Sequence, residues 1–165
     1  MAKDASFDIV SEFELVDMIN AVDQVKRELA TRYDFQGTGA SVEFDKENNV
    51  LRLVANSELK VRAIGDVVES KFIKRGLSLK FLDKSQEPVE SGMEFRWTLP
   101  LVKGLDQEKA KALSKLIRDK HPKVKPNIQG ESVRVTSASK DELQAVMQTV
   151  RSAELDYPVG FTNYR

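Results

Sequence analysis

What most constrains this chain is the order of its hydrophobic periods, which run strand, helix, strand, strand, helix, strand and then repeat that order. In the first half Phe7 and Ile9 alternate with Asp8 as a strand. From Glu14 the spacing changes to threes and fours, so Leu15, Met18, Ile19, Val22, Val25 and Leu29 line one face of a helix ending near Tyr33, ahead of Gly37 and Gly39. Val42 and Phe44 alternate with Ser41, Glu43 and Asp45. Glu47-Asn48-Asn49 supplies a turn, and Val50 to Val54 completes a hairpin. Ser57 opens a second helix with Val61, Ile64, Val67, Val68 and Phe72 inward, closed by Lys74, Arg75 and a left-handed cap at Gly76. Leu77, Leu79 and Phe81 then predict a strand.

The second half begins with Met93, Phe95, Trp97 and Leu99 alternating with Glu94, Arg96 and Thr98. Asp106 caps a helix carrying Ala110, Leu113, Leu116 and Ile117, and Pro122 stops it. Val124 and Ile128 belong to a strand that Pro126 confines to a sheet edge, since proline cannot donate to a ladder. Past the Gln129-Gly130-Glu131 turn come Val133 and Val135. Ser139-Lys140-Asp141-Glu142 has the spacing of a reciprocal capping box and opens a helix with Leu143, Val146, Met147 and Val150 inward; Val159 and Phe161 close the half as a strand. Each half therefore reads β-α-β-β-α-β, over residues 6–83 and 92–165, joined by the polar stretch Lys84 to Ser91. This is an α+β chain of two tandem ferredoxin-like units, each a four-stranded antiparallel sheet with two helices on one face.

With 165 residues, 41% apolar, the chain has enough material for two small cores. Zero cysteines exclude disulfides, thiolate nucleophiles, Cys-containing zinc sites and iron–sulfur ligation. The acidic residue close behind the first methionine and the lack of any long apolar run point to a cytoplasmic protein with no membrane partner. The 26 basic and 26 acidic side chains balance, which weakens any whole-molecule polyelectrolyte reading. Charge is concentrated locally: residues 103–125 hold eight basic residues against three acidic ones, net +5, a face for a phosphate or for solvent.

A four-stranded sheet with one bare face is a familiar platform for single-stranded RNA, but that use needs aromatics on the central strands. Here those strands read Leu51-Arg52-Leu53 and Val133-Arg134-Val135. A sharper constellation is Arg32-Tyr33-Asp34-Phe35. Arginine can fork onto guanine or phosphate, a carboxylate can accept from guanine's N1 and N2 amines, and rings can stack on a base. Phe161-Thr162-Asn163-Tyr164-Arg165 offers the same chemistry. Without a ligand, Tyr33 and Phe35 would pack the helix end, Arg32 would pair with Asp34 or a nearby acid, and Phe161 would be a core residue. No phosphate loop, metal spacing or nucleophile relay is present; His121 stands alone, a helix C-terminal cation or a surface residue. Nothing in the pattern calls for an enzyme or a cofactor.

Several blocks in one order resemble the YajQ family of bacterial nucleotide-binding proteins: Ser6-Phe7-Asp8-Ile9-Val10-Ser11, Asn20-Ala21-Val22-Asp23, Arg32-Tyr33-Asp34-Phe35-x-Gly37, Lys115-Leu116-Ile117-Arg118-Asp119, Ile128-Gln129-Gly130-x-x-Val133-Arg134-Val135, Ser139 through Val146, and Phe161-x-Asn163-Tyr164-Arg165. The resemblance implies that the N-terminal strands are exchanged. Units of 13–101 and of 1–12 plus 102–165 are then expected, in place of 1–84 and 91–165. It also implies nucleotide binding, with cyclic di-GMP the expected ligand of a non-catalytic effector. By motif match the ligand residues are Arg32, Asp34, Phe35, Arg118, Arg134 and Arg165. The competing expectation is an RNA- or tRNA-associated or protein-interaction module working through the basic 103–125 helix.

Overall fold

The computed structural model describes residues 4–165; the three preceding residues, which belong to the 1–12 segment named above, lie outside the described residues. In chain order the elements are β1 (Ala5–Val10), α1 (Leu15–Thr31), β2 (Ser41–Asp45), β3 (Val50–Ala55), α2 (Glu58–Lys74), β4 (Val89–Ser91), β5 (Glu94–Pro100), α3 (Gln107–Lys120), β6 (Lys125–Gln129), β7 (Ser132–Ser137), α4 (Lys140–Ser152) and β8 (Gly160–Thr162).

The strands form two antiparallel sheets, ordered β2-β3-β5-β4 and β6-β7-β1-β8. In the second sheet β1 is a central strand: Phe7 lies opposite Val135, and Ile9 opposite both Val133 and Phe161. In the first sheet β5 holds the equivalent place, between β3 and β4. The strand before α1 therefore sits in the sheet built from α3 onward, and the strand before α3 sits in the sheet built after α1. The chain divides into two compact units, Phe13–Val102 in one and the stretch through Glu12 with Lys103–Arg165 in the other.

In the unit Phe13–Val102, α1 buries Met18, Ala21, Val22, Val25 and Leu29, and α2 buries Val61, Ile64, Val67, Val68 and Phe72, against Leu51, Leu53, Trp97 and Leu99 of the sheet. The Ser57 hydroxyl accepts from the Lys60 amide at 3.2 Å and starts α2. At its other end Gly76 (φ 72°) donates to the Ile73 carbonyl and Leu77 to the Phe72 carbonyl, at 3.1 and 2.8 Å, a Schellman motif. In the β2–β3 turn the Asp45 carboxylate is held at about 2 by hydrogen bonds from the Asn48 side chain and backbone and from Arg52.

The expected strand at Leu77, Leu79 and Phe81 is instead a 3₁₀ turn over Leu79–Phe81, started by the Ser78 hydroxyl, which accepts from the Lys80 amide at 3.1 Å. The sheet's fourth strand is β4, inside the stretch the sequence marks as a polar join. All three of its side chains are exposed, so no alternation announces it.

In the other unit α3 and α4 pack on β6, β7 and β1. The Asp106 carboxylate accepts from the Lys109 amide at 2.8 Å to cap α3, and β6, carrying Pro126, is an edge strand. Only half of the capping box at α4 forms. The Ser139 hydroxyl accepts from the Glu142 amide at 3.3 Å, but the Ser139 amide donates to the Ser137 hydroxyl at 3.1 Å. The Glu142 carboxylate lies 3.9 Å from His121 Nδ1 instead. His121 also shares a 2.7 Å hydrogen bond with the Thr149 hydroxyl.

On the sheet faces turned from the helices the register puts Asn127, Arg134, Asp8 and Thr162 in one row of one sheet, and Glu43, Arg52 and Thr98 in one row of the other. Neither row carries a ring on which a base could stack.

Candidate functional site

The Arg32–Phe35 segment is shaped by the end of α1. The Arg32 amide closes the helix onto the Glu28 carbonyl at 2.8 Å, and its own backbone is already extended, so the next three residues coil into a 3₁₀ turn. With three residues per turn, inserting Phe35 points Tyr33 and Asp34 elsewhere. Phe35 is buried, whereas Tyr33 is 91% exposed, so the expectation that Tyr33 packs the helix end is overturned. The turn is anchored by the Thr38 hydroxyl donating to the Phe35 carbonyl at 2.6 Å. The Thr38 carbonyl in turn accepts from the Asn56 amide at 2.9 Å, just ahead of α2.

On this base Arg32 joins two carboxylates. Arg32 donates from Nε to Asp34 Oδ1 at 3.0 Å, from Nη2 to Oδ2 at 2.8 Å and from Nη1 to Glu28 Oε2 at 3.0 Å. Its guanidinium carbon stands 4.9 Å from the Phe35 ring centre, and Lys60 Nζ stands 5.8 Å from it. The Arg32 fork, with the charges of Arg32 and Lys60, holds the Asp34 carboxyl below its ordinary value. Glu28 is held low as well, first by Lys71, 3.0 Å away, and then by Arg32. Asp34 is thus an ionised acceptor held by Arg32, and the exposed Tyr33 precedes it in the turn.

Arg134 lies directly across the ladder from Asp8 and forks onto it at 2.9 and 3.3 Å, while the Asn163 amide donates to Asp8 at 2.8 Å. Asp8 is 5% exposed, and these bonds, Arg134 foremost, hold its carboxyl below the ordinary range. Asn163 adopts φ 55°, and the chain re-pairs with β1 one residue later than the ladder alone would allow. Thr162 lies opposite Asp8, yet Arg165 exchanges both backbone hydrogen bonds with Ser6 at 2.9 and 3.2 Å, which is a bulge. Tyr164 is thereby stacked on Phe7, with ring centres 6.4 Å apart.

A carboxylate depressed in the folded state contributes stability that is complete above its unfolded pKa and is lost as pH falls through the folded value. Asp8→Asn should therefore destabilise the protein at neutral pH and flatten the acid limb of its stability curve below pH of about 4. Urea midpoints of both proteins from pH 7 to pH 3 provide the check, and parallel curves would remove Asp8 from the acid response.

The six residues proposed from the sequence fall three in each unit. Arg32, Asp34 and Phe35 form one constellation in the unit Phe13–Val102. In the other unit Arg134 and Arg165 both act on Asp8, Arg165 only through space. Arg118 is exposed on α3, which packs on the opposite face of the sheet from Arg134. Tyr33 and Lys60, which complete the first constellation, were missed as site residues. Tyr33 was visible as a ring beside Arg32 and Asp34, but Lys60 has no sequence signal because a helix cap brings it near.

Two antiparallel four-stranded sheets, each with its split β-α-β order and two helices, define a tandem ferredoxin-like α+β protein whose first strands have changed places. The chain belongs to the family described as nucleotide-binding protein YajQ-like, whose model matches residues 5–165. It is similar to a nucleotide-binding protein of Thermobifida fusca, 44% identical over 166 residues and covering all of both chains. One of Nocardioides sp. is 46% identical over 163 residues, covering 98% of this chain and 99% of that one. Another, of Chloroflexus aurantiacus, is 44% identical over 167 residues, again across both whole chains. These relatives are named as nucleotide-binding proteins and not as enzymes. Among the described residues no helix is long and apolar enough to cross a membrane.

Proposed function

We propose that this protein binds a guanine nucleotide at the Arg32–Phe35 turn, with cyclic di-GMP the foremost ligand, and acts as an effector without chemical turnover. The observation that carries the reading is the Asp34 carboxylate, held ionised by Arg32, in the same turn as the exposed Tyr33 ring. The Arg32 fork occupies the two parallel lone pairs of the Asp34 carboxylate that a guanine's N1–H and N2–H would use, so a guanine edge would take the fork's place on Asp34 and release Arg32 to a phosphate. Adenine presents an acceptor at N1 and would meet that carboxylate unfavourably. Tyr33 supplies a stacking surface and Lys60 a cation for phosphate, while the Phe35 ring lies 4.9 Å from the Arg32 guanidinium carbon. The names of the relatives support the ligand class.

Titration calorimetry with cyclic di-GMP, GMP and AMP tests this. Guanine ligands should bind saturably and AMP weakly. Asp34→Asn and Arg32→Ala should each weaken guanine binding by about 10- to 100-fold, the worth of one good bidentate pair. Absence of saturable cyclic di-GMP binding, with a known receptor as positive control, would sink that ligand.

The RNA reading retains one specific support. Lys111, Lys115, Arg118, Lys120 and Lys123 make no ion pair among the described residues. It would show itself as RNA affinity falling steeply with salt and insensitive to Asp34→Asn.

A further inference from the structure

The β6-β7-β1-β8 sheet turns Phe7, Ile9, Val133 and Val135, all fully buried, toward α3 and α4. Alternation along each strand therefore sends Ser6, Asp8, Arg134 and Thr136 to the other face. Lys125 lies opposite Thr136 across the β6–β7 ladder, and Ser6 lies opposite the same threonine across the β1–β7 ladder. Arg165 exchanges both backbone hydrogen bonds with Ser6, at 2.9 and 3.2 Å, which sets its side chain on the Ser6 side of the sheet. Without the bulge at Asn163, the ladder that puts Thr162 opposite Asp8 would bring Tyr164 to that place. The extra residue exchanges a ring for a guanidinium.

Lys125, Thr136, Ser6 and Arg165 thus form one row across the sheet, three strand spacings of about 4.8 Å each. The two cations at its ends are exposed and make no ion pair among the described residues. The two hydroxyls between them are half-buried and make no hydrogen bond among the described residues. A third cation stands beside the row. Arg134, two residues from Thr136 on the same face, forks onto Asp8 through Nε and Nη2, which leaves Nη1 outside the fork. That fork also neutralises Asp8, the only carboxylate at a paired position of this face among the described residues.

A row of donors ending in two cations suits phosphate groups, which accept charge-assisted hydrogen bonds from ammonium and guanidinium and neutral ones from hydroxyls. One phosphate cannot span the row. No ring lies in it, so a nucleic-acid strand would gain contacts to its phosphates and no stacking for its bases. We propose that this face binds an oligophosphate chain laid across the strands, held at its ends by Lys125 and Arg165 and between them by the Thr136 and Ser6 hydroxyls, with Arg134 alongside. Inorganic polyphosphate and the tail of a nucleoside triphosphate both present such a chain. The face belongs to the other unit from the Arg32–Phe35 turn, and neither reading depends on the other.

The test is a ¹⁵N NMR titration of the whole chain, free of divalent cations, with inorganic tripolyphosphate, ATP, orthophosphate and a uridylate tetramer. Tripolyphosphate should shift the amides around residues 6, 125, 134, 136 and 165 saturably, with orthophosphate and the tetramer binding at least about tenfold more weakly. The ratio of the ATP and tripolyphosphate affinities separates the two sources: tighter ATP assigns the nucleotide tail, and tripolyphosphate as tight or tighter assigns the free chain. Lys125→Ala with Arg165→Ala should raise the Kd of tripolyphosphate about tenfold or more. Ser6→Ala with Thr136→Val, which keeps every charge, should raise it about threefold or more. Lys111→Ala with Lys115→Ala, which removes as many charges from α3, should change it by less than about twofold. The site is overturned if the shifts fall on α3 or fail to saturate, if orthophosphate or the tetramer binds as tightly as tripolyphosphate, or if either row variant binds as the parent does. Should a row variant misfold, the comparison of probes on the intact chain still decides.

Discussion

Residues 103–165 prepared alone should fail to fold, whereas residues 13–102 prepared alone should give a cooperative unfolding transition. All four strands and both helices of the unit Phe13–Val102 are contiguous in sequence. The other unit lacks its central strand without the chain's beginning, because β1 separates β7 from β8 and inserts Phe7 and Ile9, both fully buried. Each such side chain contributes about 1.5–3 kcal/mol on burial, and a unit of about 60 residues is marginal even with its core complete. Placing residues 4–12 directly ahead of residue 103 through a short linker should restore folding, since the Gly104 amide already donates to the Ser11 carbonyl at 2.6 Å. Circular dichroism and NMR dispersion of the three chains are the readout. Dispersed, native-like spectra from 103–165 alone would mean that β7 and β8 can dispense with β1.

Gly65→Ala should lower stability by about 1–3 kcal/mol, the cost of overpacking a filled core. In an ordinary exposed helix the same change would gain about 1 kcal/mol, so packing decides the sign. A Cβ at Gly65 would stand 2.6 Å from Trp97 Cζ3, with the neighbouring ring atoms at 3.4 and 3.5 Å. The indole has little freedom to retreat. Its N–H donates to the Gln86 carbonyl at 2.7 Å, and the Arg62 guanidinium lies 5.5 Å from the ring. Thermal melts give the measurement, and Trp97→Leu should reverse part of the loss in the double variant. A rise in Tm for Gly65→Ala alone would show that the ring moves aside freely.

These two cases mark where sequence reading succeeds and stops. The caps at Ser57, Asp106 and Ser139 and the inward faces of the helices were legible because they depend on residues within a turn or two of each other. Gly65 carried no apolar signal, and its meaning comes from a tryptophan on a strand far along the chain. The fourth strand of the first unit was misplaced because Leu77, Leu79 and Phe81 alternate in letters while Val89–Ser91 does not; strand pairing, which is non-local, overrode the period. At the candidate site Arg32 and Asp34 were legible as a pair two residues apart. The Asp8–Arg134 fork spans 126 positions, and only the ladder register makes it. Tyr33 was read inward because a ring at a helix end usually packs, and the 3₁₀ turn reversed its direction.

The central place of β1 also has a cost during synthesis. Phe7 leaves the ribosome long before Val135, its partner across the ladder, has been made. At bacterial-scale elongation of about 5–20 residues per second, the intervening stretch takes roughly 6 to 26 s. Through that interval a short apolar strand with both hydrogen-bonding edges unpaired is attached to a neighbour able to fold without it. Nascent-chain chaperones would therefore be expected to engage the first dozen residues, and to release them only once β7 has emerged.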